Sequence, residues 1–311
     1  MTTMHEHART FYITILIILI VVFIVGGFRF VTDRAHADPA VVSSVHVAVR
    51  SAEDAVVQRP PLVDWSAGLV RELQSDTNIY AINDHMRWPL ASITKLMTAV
   101  VALETLGSNQ VVTVSQTAVD VEGVAGGLTV GRRYTTGNLI IAMMTVSSND
   151  AATALAETYD QSVETPEQFT SALSKTAYFV DAMNQKAVEL GMNETVFGDS
   201  TGLSMVSQSS AVDLQKLIRY VVATHPEVLE ITRHLQNTVR DAAGKSYDLR
   251  NINALAGRPD FLGGKTGHTD QSLDNLVSLF EFERKTYVIV VFGAQDRFKE
   301  TETLLTWLEQ R

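Results

Sequence analysis

The sequence predicts an α+β fold, an antiparallel sheet flanked by helices with a mostly helical subdomain inserted between its first and last strands. Three observations carry this. Short alternating runs come early, around Ser75-Asp76. Helical periodicity fills the middle of the chain. A second pair of alternating runs, around Arg284-Lys285, precedes an amphipathic closing stretch. The strands at the two ends have to meet in one sheet, with the helices between them.

Each element follows from its local pattern. "SAGLVREL" and "TNIYAIN" flank Ser75-Asp76 and read as a β-hairpin. The next apolar run reads as a helix that starts near Ser92 and stops at Gly107, a C-cap glycine. "GNLIIAMMTVSSNDAATALAETY" reads as two helices broken near Ser147–Asn149. Thr165-Pro166-Glu167-Gln168 places Thr at the N-cap, Pro at N1 and Gln at N3 of a helix that runs to Gly191. "SAVDLQKLIRYVVATHP" is another helix, stopped by Pro226. "LVSLFEFE" and "TYVIVVFG" alternate around Arg284-Lys285, a second hairpin, and "KETETLLTWLEQR" closes the chain as a helix. No internal repeat and no low-complexity tract interrupts this order.

The chain has 311 residues, 46% apolar and 19% charged, which is a globular composition. Its net charge of −10 argues against nucleic acid as a partner, because that needs a basic face. The absence of cysteine excludes a disulfide framework and a thiolate nucleophile. Histidines are scattered without an H-x-x-x-H helix pattern, so neither a metal nor another cofactor is expected. Residues 11–28, "FYITILIILIVVFIVGGF", form an uncharged run long enough to span a bilayer core at the lower limit. It reads as a retained signal anchor or as a cleaved signal peptide ending at Ala35-His36-Ala37. The length of the apolar run, and the charged stretch that separates it from the A-x-A, favour the anchor. The expected layout is a cytoplasmic tail at 1–10, the anchor at 11–30, a Pro-containing linker at 31–61 and an exported domain at 62–311. The expected location is the cell membrane, crossed once, with the domain outside.

Three motifs carry chemistry. "RWPLASITKLMT" sets Ser92 three residues before Lys95, on one helix face. A Ser is a weak nucleophile until a base takes its proton, and a desolvated Lys can be that base. The same pair also reads as a helix-capping Ser beside a Lys that snorkels to solvent. Ser147 precedes Asn149 by two residues, and Asn149-Asp150 also reads as a plain helix N-cap. Lys265-Thr266-Gly267 stands in "GGKTGHTD", which also reads as an ordinary turn. Each pattern occurs once, in the order S-x-x-K, S-x-N, K-T-G. That is the motif set of penicillin-interacting serine enzymes.

The match extends beyond the motifs. "RWPLASITKLMT", "SSNDAATALAE", "LGMNETVFGDSTGLS", "GGKTGHTD" and the tail "DRFKETETLLTWLEQ" resemble the D-alanyl-D-alanine carboxypeptidase and endopeptidase family of low-molecular-mass penicillin-binding proteins. The resemblance covers roughly residues 62–310 and implies a serine β-lactamase-like fold. It implies Ser92 as nucleophile, Lys95 as its base, and Ser147 as a proton relay towards the leaving amine. Asn149 is implied to bond the substrate's amide. Lys265 is implied to stand on an edge strand where substrate backbone adds, with Thr266 offering a hydroxyl to a carboxylate and Gly267 allowing close approach. The N–H groups of Ser92 and His268 are the implied oxyanion hole. Arg297 matches a family Arg that holds the substrate's terminal carboxylate; as a bare sequence position it also reads as a solvated charge near Asp296 and Glu300. The implied partners are peptidoglycan pentapeptide stems and β-lactams as acylating inhibitors. The implied reaction is that of a D-Ala-D-Ala carboxypeptidase. The alternatives are cross-link endopeptidase, β-lactamase with a base among Glu157, Glu164 and Glu167, and an inactive wall-binding protein. One departure stands out: Leu273 occupies a place where the family commonly has Gly, and it is expected to reshape the strand entry.

Overall fold

The computed structural model describes residues 60–123, 126–163 and 176–311. The apolar run at 11–28 and the helix start at Thr165–Gln168 lie outside the described residues.

The chain opens with β1 (Ala67–Glu72), β2 (Asn78–Ile82) and the two-residue β3 (Trp88–Pro89). A 3₁₀ turn, Ala91–Thr94, feeds helix α1 (Lys95–Leu106), which ends at Gly107 with φ +69°. β4 (Val111–Thr113), the short α2 (Gln116–Val119) and β5 (Arg133–Thr135) follow. Then come α3 (Thr136–Thr145), α4 (Asn149–Ser162) and α5 (Ala177–Glu189). β6 (Gln208–Ser209) precedes α6 (Ala211–Thr224) and α7 (Pro226–Arg233). A hairpin of β7 (Gln236–Arg240) and β8 (Ser246–Arg250) leads to three long strands, β9 (Phe261–Thr269), β10 (Leu273–Phe282) and β11 (Lys285–Ala294). Helix α8 (Arg297–Glu309) closes the chain.

The expected meeting of the two ends is found: the main sheet is antiparallel in the order β2-β1-β11-β10-β9, and β1 pairs β11 from Ala67↔Phe292 to Glu72↔Tyr287. The breaks in the middle also fall where the caps place them. Thr135, Ser148 and Ser210 each accept a backbone N–H three residues on, at the starts of α3, α4 and α6. Asn149-Asp150 is therefore not the cap of α4; Ser148 is, and Asn149 is left free for other bonds. Pro226 ends α6 as expected but also begins α7, since a first-turn residue needs no N–H.

The last two strands differ from the expected alternation, because both faces of the sheet are covered. Val288, Val290 and Phe292 pack with α1, α3, α4 and α6 in the larger core. Ile289 and Val291 point the other way, against Leu304 and Leu305 of α8. A strand buried on both faces reads as a continuous apolar run. The turn between them, Glu283-Arg284, has φ +50° and +62°, which is the geometry of a tight two-residue hairpin.

The strand entry at Leu273 is irregular on one side, where the pairing of β10 with β11 shifts register between Asp274 and Leu276. On the other side β10 pairs β9 regularly from Leu273↔Thr269 to Leu279↔Gly263. Leu273 itself takes a left-handed conformation, φ +53°. An L-residue pays roughly 1–2 kcal/mol there, and a glycine pays part of that back as chain entropy. Leu273→Gly is expected to raise stability by about 0.5–1 kcal/mol, read as a rise in the urea midpoint at unchanged slope. A lower midpoint would mean that the half-buried Leu side chain outweighs the backbone strain.

Candidate active site

The 3₁₀ turn sets the first pair. In a 3₁₀ turn residues i and i+3 eclipse each other. Ser92 lies inside this turn, and the α-helix proper begins at Lys95 rather than at Ser92. Lys95 Nζ donates to Ser92 Oγ at 2.9 Å. Ala91, just before the Ser, is held at φ +48°, a strained value of the kind that clusters at functional positions.

Lys95 does not snorkel. Its side chain is 0% exposed, and Nζ also donates to Asn149 Oδ1 and to the Thr201 carbonyl, both at 2.7 Å. Burial pulls its pKa down to about 7, against the opposing pull of the Asp199 and Asp150 carboxylates. A neutral amine is thus available near neutral pH. Asn149 Nδ2 donates to the Glu122 carbonyl at 2.8 Å, so the side chain ties Lys95 to the 122–123 loop.

The break between α3 and α4 presents Ser147, also left-handed at φ +61°. Its Oγ accepts from Lys265 Nζ at 3.0 Å. Lys265 is buried too, and its pKa lies well below the ordinary value, first through desolvation, then through repulsion by Lys95 and Arg297. β9 is the edge strand of the sheet. Gly264 N–H points off that edge, to Thr232 Oγ1 of α7 at 2.9 Å. Strand N–H groups alternate in direction, so Thr266 and His268 direct theirs off the same edge. Beyond Gly264 that edge passes the 3₁₀ turn. A Cβ on Gly267 would stand 2.7 Å from the Leu90 carbonyl and 3.2 Å from Ser92 N, so the residue has to be Gly.

Successive residues of β9 face opposite sides of the sheet. Lys265, opposite Val277, faces the larger core and Ser147. Thr266 and His268, opposite Leu276 and Asp274, face the side covered by α8. Arg297 is the first residue of α8, after the N-cap Asp296. It is not a solvated loop charge. Its side chain is 17% exposed, and Nη1 donates to the Gly267 carbonyl at 2.5 Å. Nη2 lies 3.4 Å from Asp274 Oδ1, and the same oxygen is 2.8 Å from His268 Nδ1.

Ser92, Lys95, Ser147, Asn149 and Lys265 thus converge, and Thr266, Gly267, His268 and Arg297 line the neighbouring strand edge. Sequence reasoning missed the supports. Asp199 accepts from the N–H groups of Gly202, Leu203 and Ser204 and so shapes the loop that offers the Thr201 carbonyl. Asp150 holds Gly126 and Leu128 N–H in the same way. The available signal was an Asp ahead of Ser-Thr-Gly in "GDSTGLS", a common loop-forming pattern.

A family model described as D-alanyl-D-alanine carboxypeptidase matches residues 54–296. The chain belongs to this family. A D-alanyl-D-alanine endopeptidase of Escherichia coli K12 is 30% identical over 283 residues, covering 87% of this chain and 85% of its own. One from Pseudomonas aeruginosa is 31% identical over 259 residues, 78% and 76% of the two chains. Among solved structures, a D-alanyl-D-alanine carboxypeptidase of Mycobacterium tuberculosis superposes with a TM-score of 0.70 at 25% identity, over 83% of this chain and 95% of the other. The cefotaxime-bound penicillin-binding protein D2 of Listeria monocytogenes does so at 0.67 and 29%, over 80% and 98%. As a member of the D-alanyl-D-alanine carboxypeptidase family, the chain is a serine-type D,D-peptidase, and its α+β fold is the fold of these enzymes.

Proposed function

We propose that the chain is a D-alanyl-D-alanine carboxypeptidase acting on peptidoglycan stem peptides through a Ser92 acyl-enzyme. The observation that carries this is the 2.9 Å contact between Ser92 Oγ and a wholly buried Lys95 amine whose pKa is about 7. Lys95 Nζ takes the Ser92 proton as Oγ attacks the carbonyl of the penultimate D-Ala. The tetrahedral oxyanion rests on the N–H groups of Ser92 and His268. The C–N bond breaks, and the leaving D-Ala amine takes the proton that Lys95 had accepted, relayed through Ser147, which Lys265 holds in place, so Lys95 is neutral again. Water then attacks the ester and gives a proton to Lys95, which passes it to Ser92 Oγ as the ester C–O bond breaks, freeing Ser92. Substrate backbone adds along the open end of β9, and its terminal carboxylate meets Thr266 and Arg297. A β-lactam, which also carries a carboxylate, acylates the same Ser.

Residues 11–28 would tether the domain outside the cell membrane, where these stem peptides are. The endopeptidase alternative has support of its own, since the E. coli and P. aeruginosa relatives carry that name. The β-lactamase alternative loses one candidate base. Glu157 is hydrogen-bonded to Ser115 and stands eight residues along α4 from Asn149, roughly 12 Å away. Glu164 and Glu167 lie outside the described residues.

A gel with a fluorescent penicillin tests the proposal. A labelled band that persists for many minutes is the expected result. Rapid loss of label would make the chain a β-lactamase. Absence of label, with the fold intact by circular dichroism, would make it a binding module.

A further inference from the structure

The carboxylate seat at Arg297 is not a free cation. Of the guanidinium's nitrogens, Nη1 is spent on the Gly267 and Asn275 carbonyls, at 2.5 and 3.4 Å. Nε is buried with no partner among the described residues. Nη2, at 3.4 Å from Asp274 Oδ1, is the nitrogen that an incoming carboxylate would have to share. Asp274 stands directly opposite His268 in the β9–β10 register, on the sheet face that carries Thr266. A carboxylate seated on Thr266 and Arg297 would therefore meet a second carboxylate of like charge, partly shielded from water, with side chains here only 17% and 20% exposed. Like charges a few ångströms apart at a protein surface repel appreciably.

We propose that Asp274 is a specificity-determining residue, one that lowers the site's preference for a leaving residue with a free carboxylate and so admits leaving residues whose carboxyl group is neutral, such as a carboxamide. It acts through Arg297, as a positioning and screening group, and does not touch the reacting bond. The inference rests on the reading of Arg297 as the carboxylate seat. Asp274 also makes a structural contact, because the His268–Asp274 pair ties β9 to β10 across the ladder. The two roles differ in what they predict: a ladder tie affects every substrate alike, whereas a screening charge separates charged from neutral leaving residues.

The test uses one N-acylated peptide ending in D-Ala-D-Ala, prepared as the free acid and as the C-terminal carboxamide. Release of D-Ala or of D-alaninamide is followed by chromatography. Asp274→Asn is expected to raise kcat/KM for the acid about tenfold, mainly through KM, and to leave the amide within about twofold. Asp274→Glu keeps the charge and is expected to hold the wild-type ratio, which covers the case in which the Asn variant folds poorly. Arg297→Ala is expected to lower the acid rate selectively and to erase the effect of Asp274→Asn in the double variant. Equal change on acid and amide in Asp274→Asn, or no change while Arg297→Ala still discriminates between them, overturns the inference alone. If Arg297→Ala lowers acid and amide equally, the carboxylate seat itself is wrong and the inference falls with it.

Discussion

Ser92→Ala is expected to abolish covalent labelling by penicillin and to cut D-Ala release by about 10⁴-fold or more, the scale of losing a nucleophile from a coupled catalytic unit. The fold should survive. Ser92 does not cap the 3₁₀ turn, whose N-cap is Leu90 without a side-chain bond, and the change removes one half-buried hydroxyl. Intact-protein mass spectrometry after exposure to a penicillin reads the result directly. An adduct forming at the wild-type rate would mean that another side chain is acylated.

Lys95→Arg is expected to be nearly as damaging as Lys95→Ala, by about 10³-fold or more in acylation. Arg keeps the charge but holds its proton at any working pH, so it cannot accept one from Ser92. It also brings a planar cation into a space with no exposure, between Asn149 Oδ1 and the Thr201 carbonyl. In the wild type, acylation should rise with pH through about 7, as the Lys95 amine loses its proton. The same depression fixes a sign for stability. Between about 7 and the ordinary value of 10.5 the unfolded chain holds a proton that folded Lys95 does not, so this group's contribution to stability grows with pH across that window and is lost as pH falls through about 7. Normal acylation by the Arg variant, or a rate flat from pH 5 to 9, would assign the proton to another base.

Much of the site was legible because its parts are local. Ser92 and Lys95 are one turn apart, and Ser147 and Asn149 are two residues apart. Such spacings survive whatever the rest of the chain does. The hairpins at Ser75-Asp76 and Arg284-Lys285 were legible for the same reason. The supports were not. The Thr201 carbonyl reaches Lys95 across 106 positions, and no periodicity marks a carbonyl. Asp274 and Arg297 meet only because α8 folds back on the outer face of the sheet. β7 and β8 were missed because each is largely polar, with Val239 as the one fully buried apolar side chain of the pair. Their alternation lacks the contrast that sequence patterns need.

The cover over half of β9 has a consequence for the protein's solubility. A bare edge strand invites another chain's edge to pair with it, the first step of sheet-to-sheet aggregation. Here α7 occupies the first half of that edge so closely that a Cβ on Gly263 would sit 2.7 Å from the Leu229 carbonyl, and Thr232 takes the Gly264 N–H. What stays open is the stretch from Thr266 to Thr269, four residues long and walled on one side by the 3₁₀ turn. A short peptide can lie along it, but a long strand of a second protein meets α7 before it can establish a ladder. The opposite edge, β2, is only five residues long and begins with an exposed Asn78. The enzyme can thus keep a pairing edge permanently available at high concentration, because the length of that edge, rather than a gate over it, decides what may bind.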